Sequence, residues 1–175
     1  NIREVNLIVH VVRCFNDKEI THVYESVDPI RDVEVINLEL ILADQDVILR
    51  RLSHLIPRVK SGDKKSAFEL TVCEKIKKLL DENKLIKKNF FSDEEWEIVK
   101  TLNLLTSKPI LYVANINTDD IATPENNQNY LKLKEYIEKN STDLLIPLSI
   151  SMEYEISSLS KEDQQIFMND LGIKK

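Results

Sequence analysis

The segment that most constrains the fold is Lys108–Asn117, which reads as a buried β-strand followed by polar residues. Its central part, Ile110–Ala114, is apolar throughout. An apolar run rich in β-branched residues lies at Val5–Arg13, and a third strand is predicted within Asp143–Ser149. A continuous apolar run suits a strand that is covered on both faces, as in a parallel sheet, and we expect this of Val5–Arg13.

Two long helical patterns follow the first predicted strand. Apolar residues recur at spacings of three and four from about Asp32 to Val59, and again within Phe68–Leu80. The segment Ser61–Asp63 interrupts the pattern. Because two long helices joined by a short loop containing Gly should fold back on each other, the sequence predicts an antiparallel, coiled-coil-like helical hairpin.

Three more helices are predicted further along the chain. Ser92–Glu95 combines a Ser N-cap with Glu three residues later, which is typical of a helix start. Asn126–Lys139 and Lys161–Leu171 have helical patterns as well. The order strand, hairpin, helix, strand, helix, strand, helix predicts an α/β fold, the back half of a doubly wound sheet with an inserted hairpin.

Composition excludes several classes of protein. The two glycines, Gly62 and Gly172, are too far apart for an internal glycine-rich phosphate loop of either common type. A net charge of −6 argues against broad, charge-driven nucleic-acid binding. No apolar run approaches the roughly 18 residues of a membrane span, and no signal peptide is visible. Two widely spaced cysteines favour a reducing, cytoplasmic compartment.

The residues that often carry catalysis or bind metals form no recognisable set. His10, His22 and His54 lack the spacing of metal ligands. We expect His10, within an apolar strand, to be a buried histidine with its hydrogen bonds satisfied. Cys14 is expected to be a small buried residue rather than a nucleophile.

Asn115 lies where a ligand would bind in a parallel sheet, at the carboxyl end of a predicted strand. Its amide both donates and accepts hydrogen bonds, so it can read the edge of a purine base. From the residues alone, a turn residue at the end of a strand is the favoured alternative.

Several strings of residues carry a family resemblance. They are Ile2–Glu4, His10–Phe15, Ile20–Val23, Ser26–Asp32, Glu39–Asp44, Ser61–Lys64 and Leu105–Pro109. Over nearly all of its length the chain resembles the YchF-type branch of the Obg family of P-loop NTPases, in which these strings occur in the same order.

The resemblance implies a G-domain carrying a helical insertion. Residues 1–31 would be a strand and its connection, 32–90 the hairpin insertion, and 91–175 the rest of the G-domain with its base-recognition loops. The P-loop, the switch regions and the Asp that organises Mg²⁺ would lie before Asn1, and a ubiquitin-like domain would follow Lys175. The resemblance therefore implies a parent protein that hydrolyses ATP, with some tolerance for GTP, and associates with the ribosome. It also implies that this chain alone is inactive, with no catalytic or metal-binding residue of its own.

Two loops would bind the nucleotide base by this resemblance. The segment Asn115-Ile116-Asn117-Thr118 stands where GTPases have Asn-Lys-x-Asp and the YchF-type branch typically has Asn-x-x-Glu. Thr118 departs from both patterns because it has no carboxylate, so guanine selectivity should be weak unless Asp119 substitutes.

The second loop follows the last predicted strand and corresponds to the family's Ser-Ala-x-x-Glu position. It would offer backbone N–H groups to the base; a helix N-cap at Ser149 or Ser151 is an alternative that is compatible with this role. The predicted residues of this loop are Ser149, Ser151, Met152 and Glu153.

The predicted hairpin is rich in basic residues although the whole chain is acidic. The favoured interpretation of such charges is a solvated helix surface. The alternative is a non-catalytic binding module whose hairpin docks on the ribosome, its RNA or a protein partner, through contacts that salt would weaken. The candidate contact residues are Arg50, Arg51, Lys77 and Lys78.

Overall fold

The computed structural model describes residues 6–15 and 27–150. By their internal contacts these residues divide into a sheet unit (8–15, 27–33 and 110–150) and a helical unit (6–7 and 34–109). The predicted division at residues 31 and 90 stays a prediction. The elements, in chain order, are β1 (Ile8–Arg13), α1 (Pro29–Lys60), α2 (Lys64–Asp81), α3 (Asp93–Thr101), β2 (Ile110–Asn115), α4 (Gln128–Asn140) and β3 (Leu144–Leu148).

The sheet unit contains a small parallel sheet in the order β1-β2-β3. In its register Arg13 of β1 lies beside Asn115 of β2, which lies beside Leu148 of β3. The predicted α/β class with a parallel sheet is therefore confirmed. Because all three strands run the same way, their carboxyl ends meet at one edge.

One face of β1 differs from the prediction. Val12 and His10 are buried, but Val9 and Val11 are 55% and 49% exposed. Successive side chains of a strand point to opposite faces, so the expectation that β1 is covered on both faces is wrong for the described residues. His10 is buried as predicted, and burial lowers its pKa. Its Nδ1, however, has no hydrogen-bond partner among the described residues.

The helical unit is built on α1 and α2, which follow the predicted helical patterns. Ile48 and Leu55 of α1 and Ile76 of α2 are fully buried and belong to one apolar cluster. Gly62, in the turn between the helices, has φ +92°, a left-handed conformation that glycine adopts without strain. The Asp63 carboxylate then caps α2 by accepting from the Lys65 and Ser66 backbone N–H groups.

The predicted start of α3 is confirmed. The Ser92 hydroxyl accepts from the Glu95 backbone N–H, and the Glu95 carboxylate accepts from the Ser92 backbone N–H, so the two form a capping box. The predicted helix at 161–171 lies outside the described residues. Among the helices that the structure describes, none is both long and apolar enough to cross a membrane.

Candidate functional site

At the carboxyl edge of the sheet, hydrogen bonds between neighbouring segments continue for one residue after β1 and after β2. The Cys14 N–H donates to the Asn115 carbonyl oxygen at 2.9 Å, and the Ile116 N–H donates to the Leu148 carbonyl oxygen at 2.9 Å. These bonds tie the peptide group between Asn115 and Ile116 to the chain segments on either side, at Cys14 and Leu148.

The orientation of the Asn115 amide follows from its partner. The Ile150 backbone N–H lies 3.2 Å from Asn115 Oδ1. Because a backbone N–H can only donate, the atom that faces it must be the amide oxygen. The amide NH₂ group is then the part of Asn115 that remains to donate to a ligand.

Thr118 and Ser149 connect the two predicted base-binding loops. Thr118 Oγ1 lies 3.1 Å from Ser149 Oγ, and Ser149 is only 2% exposed. Thr118 belongs to a short 3-10 helix, Thr118–Asp120, that follows β2. Its hydroxyl therefore contacts the loop after β3.

The predicted site residues are placed as follows. Asn115, Ile116, Thr118 and Ser149 come together at the carboxyl edge, with Ile116 fully buried. Asn117 and Asp119 are exposed on the same loop. The remaining three predicted residues lie outside the described part of the chain; they are Ser151, Met152 and Glu153.

Asn127 and Asp120, which also lie at this edge, were not among the predicted site residues. The Asn127 Nδ2 donates to the Cys14 carbonyl oxygen at 3.1 Å and to Asp120 Oδ2 at 3.3 Å. Its Oδ1 accepts from the Tyr130 backbone N–H, which caps α4. An Asn directly before a helical pattern is a signal for such a cap, but no local pattern reveals the bonds to Cys14 and Asp120.

Cys14 is buried at this edge, as predicted. Burial, reinforced by the nearby Asp32 carboxylate, raises the pKa of its thiol to about 12. A thiol that stays protonated at neutral pH is a poor nucleophile. The contacts of Cys14 with Asn115 and Asn127 are made by its backbone groups.

The candidate partner-binding residues of the helical unit are not equivalent. Arg51 Nε is paired with Glu69 Oε1 at 2.6 Å, and Lys77 Nζ with Asp81 Oδ2 at 2.7 Å. Arg50 and Lys78 are exposed. Arg50 and Arg51 line a groove of about 440 Å³, whose other polar lining residues are His54, Glu69 and Thr101.

Comparison with known proteins finds relatives of the YchF type. No protein-family model matches the chain. A protein of Bacillus subtilis named ribosome-binding ATPase YchF is 42% identical over 175 residues, which are 100% of this chain and 48% of the relative. A Haemophilus influenzae protein of the same name is 40% identical over 100% of this chain and 47% of the relative. The predicted resemblance to the YchF-type proteins is confirmed.

A solved structure agrees in fold. The YchF GTPase of Schizosaccharomyces pombe superimposes with a TM-score of 0.85 at 33% identity, covering 99% of this chain and 48% of the yeast one. The chain thus spans about half the length of the YchF relatives that it matches. The names attribute ATPase activity and ribosome binding to the bacterial relatives and GTPase activity to the yeast one.

Proposed function

We propose that this chain is part of a YchF-type nucleotide hydrolase and that its sheet unit holds the nucleotide base. The observation that carries the proposal is the fixed Asn115 amide at the carboxyl edge of the parallel sheet. In open α/β sheets this edge is where ligands bind. The relatives named ATPase and GTPase match the chain over its whole length or nearly so.

The geometry favours binding a purine without strong choice between adenine and guanine. The Asn115 NH₂ can donate to the purine N7, an acceptor that both bases carry. Discrimination in favour of guanine needs a carboxylate that accepts from its N1–H and N2–H₂ groups, and Thr118 offers none. We therefore propose that both ATP and GTP are accepted. ATP is proposed as the main substrate because the bacterial relatives are named ATPases.

We propose that the ligands of Mg²⁺ lie outside the described residues. Among them, no group of three or more His, Cys, Asp or Glu side chains is arranged to hold a metal. Oxygen ligands and phosphates are what Mg²⁺ requires in such enzymes. We propose that these ligands and the phosphate-binding loop belong to other parts of the full-length protein, so that this chain alone is inactive.

An equilibrium titration with fluorescent ATP and GTP analogues tests the base site in the full-length protein. Removing the amide in Asn115→Ala should weaken both analogues, by on the order of tenfold, because one directed hydrogen bond and the contact with Ile150 are lost. The matched control is Asn140→Ala, since within the described residues the Asn140 amide donates only to the Tyr136 carbonyl oxygen of its own helix. Equal affinity of Asn115→Ala and the control would refute the proposal.

We also propose that α1 and α2 form the predicted antiparallel hairpin. Gln45 Nε2 donates to Asp81 Oδ1 at 3.1 Å, and Arg51 bonds to Glu69. The earlier residue of α1, Gln45, thus contacts the later residue of α2, Asp81, as expected when two helices run in opposite directions. We propose separately that the sheet unit is the back half of a doubly wound sheet.

A second candidate function is a binding module that docks on the ribosome through the hairpin. The exposed side chains of Arg50 and Lys78 favour it, because neither makes an ion pair within the described residues. Such a role would place the protein in the cytoplasm, where ribosomes are. Contacts of these cations with phosphates would weaken as salt rises.

Ribosome co-sedimentation of the full-length protein tests this candidate. We expect Arg50→Glu with Lys78→Glu to reduce co-sedimentation while ATP hydrolysis stays intact. The control carries the same change of charge on α4, Lys132→Glu with Lys139→Glu, at two exposed positions of the sheet unit. Unchanged co-sedimentation of the hairpin variant would eliminate the binding-module candidate.

A further inference from the structure

A closed circuit of hydrogen bonds and short stretches of backbone surrounds the end of β2. It starts at Asn115, whose Oδ1 accepts from Ile150, the residue after Ser149. Ser149 contacts Thr118, the first residue of the short helix that ends at Asp120. The circuit returns from Asp120 through Asn127 and Cys14 to the Asn115 carbonyl oxygen; the bonds of this return path are Asn127 Nδ2 to Asp120 Oδ2, Asn127 Nδ2 to the Cys14 oxygen, and Cys14 N–H to the Asn115 oxygen.

Asn127 is the member of the circuit with the most connections. Its single amide group bonds to the end of β1, to the loop after β2 and to the start of α4. The residue is buried, and buried polar groups are costly to leave unpaired. Capping α4 requires only the Oδ1 atom, so it does not account for the two bonds that the NH₂ group makes.

We propose that Asn127 is a positioning residue for the base site, which holds the loop Asn117–Asp120 against the carboxyl end of β1. The inference rests on the proposed base-binding function. Asn127 itself does not touch the base. It holds Asp120, and through the short helix Thr118–Asp120 it holds Thr118, whose hydroxyl contacts Ser149.

The substitution Asn127→Asp separates this role from helix capping. Asp keeps the acceptor that caps α4 and ranks with Asn as an N-cap residue. It loses both NH₂ bonds, however, and places a carboxylate against Asp120 and the Cys14 carbonyl. In the full-length protein we expect the Kd and KM for ATP to rise by on the order of tenfold, with kcat within about twofold.

The reciprocal double variant should restore binding. In Asn127→Asp with Asp120→Asn, the new amide at position 120 can donate to the new carboxylate at position 127. The Cys14 carbonyl oxygen still accepts from Asn129 Nδ2, at 3.4 Å in the structure. We expect the Kd to recover to within about threefold of the original value. A merely structural role in capping α4 predicts no such rescue.

Asn140→Asp is the matched control, because it makes the same chemical change on α4 at an exposed position. Wild-type Kd in Asn127→Asp, a loss equal to that of the control, a fall in kcat with KM unchanged, or no recovery in the double variant would each overturn the inference. If thermal unfolding shows that Asn127→Asp does not fold, Asp120→Ala removes the same bond from the other side, and an unchanged KM there overturns it.

Comparing Asn115→Ala with Asn127→Asp distinguishes failure of the base-binding proposal from failure of the positioning role. Asn115→Ala with wild-type affinity would refute the proposed function and the positioning role together. Weakened binding in Asn115→Ala beside normal binding in Asn127→Asp would refute only the positioning role.

Discussion

The Asp44 carboxylate holds Thr106 through two short hydrogen bonds deep inside the helical unit. Asp44 Oδ2 accepts from the Thr106 backbone N–H at 2.7 Å and from its hydroxyl at 2.6 Å, while Oδ1 accepts from the Leu105 N–H at 3.0 Å. Both Asp44 and Thr106 are fully buried. One carboxylate of α1 thus satisfies three donors of the turn Leu105–Ser107, which lies just before Lys108 and β2.

Asp44→Ala should therefore be strongly destabilising. It leaves buried N–H and hydroxyl groups without an acceptor, and each unsatisfied group of this kind costs roughly 1–3 kcal/mol. We expect the free energy of unfolding, measured by urea denaturation of the full-length protein, to fall by at least about 3 kcal/mol. The control Thr106→Val removes only the hydroxyl bond and should cost about 1 kcal/mol. Equal effects of the two substitutions would contradict this account.

The contact between Asp44 and Thr106 could not be predicted from the sequence. The capping box of Ser92 and Glu95 was predictable because both partners lie within one helical turn. Asp44 and Thr106 are 62 positions apart, and nothing in either local pattern indicates the other. Such long-range polar contacts depend on tertiary packing, which hydrophobic periodicity does not encode.

In the sheet unit, too, local features were predictable and features that depend on packing were not. Strands β1, β2 and β3 were recognisable as apolar runs, and the parallel class followed from their order with the helices. The exposure of Val9 and Val11 was not predictable, because a run of β-branched residues looks the same whether one face or both are covered. The strand end made Asn115 a candidate from the sequence, whereas the contacts of Asn127 with Cys14 and Asp120 needed the structure.

The stability contributed by Glu95 should depend on pH. Its carboxylate accepts from the Ser92 backbone N–H and from Lys75 Nζ, and these bonds lower its pKa below the usual 4.5, against the opposing effect of burial. A lowered pKa in the folded state stabilises the fold above pH 4.5 and loses this effect as the pH falls further. The unfolding free energies of wild type and Glu95→Gln should differ at pH 7 and converge below about pH 4.5.

The matched variant for this experiment is Ser92→Ala, which removes the hydroxyl that accepts from the Glu95 N–H. It should cost about 1 kcal/mol. Because Ser does not titrate, most of that loss should persist at low pH. A difference between wild type and Glu95→Gln that is constant from pH 7 to pH 3 would show that the carboxylate charge is not involved.

The two buried thiols should resist alkylation in the folded protein. Burial raises the pKa of Cys14 to about 12 and that of Cys73 to about 11. At pH 8 the reactive thiolate should therefore be scarcer than in an ordinary cysteine by about two to three orders of magnitude. Treatment with iodoacetamide followed by peptide mass analysis should show little label on either residue until urea unfolds the protein. Rapid labelling of Cys14 in the native protein would contradict its buried placement.

Base preference should respond to the charge at position 118. Thr118→Asp introduces a carboxylate that can accept from guanine N1–H and N2–H₂, which adenine does not offer in that pattern. We expect the ratio of the ATP and GTP dissociation constants to shift toward GTP by on the order of tenfold or more. Thr118→Asn is the matched control, since it has the same shape and also loses the hydroxyl contact with Ser149, but carries no charge.

The two variants separate charge from loop geometry. A shift in Thr118→Asp alone means that the carboxylate reads the base at this position. An equal change in both variants means that the bond between Thr118 and Ser149 sets the preference by holding the two loops together. If the wild type already prefers GTP and Asp119→Asn abolishes that preference, the exposed carboxylate of Asp119 reads guanine, and the base site lies one residue further along the loop than the proposal places it.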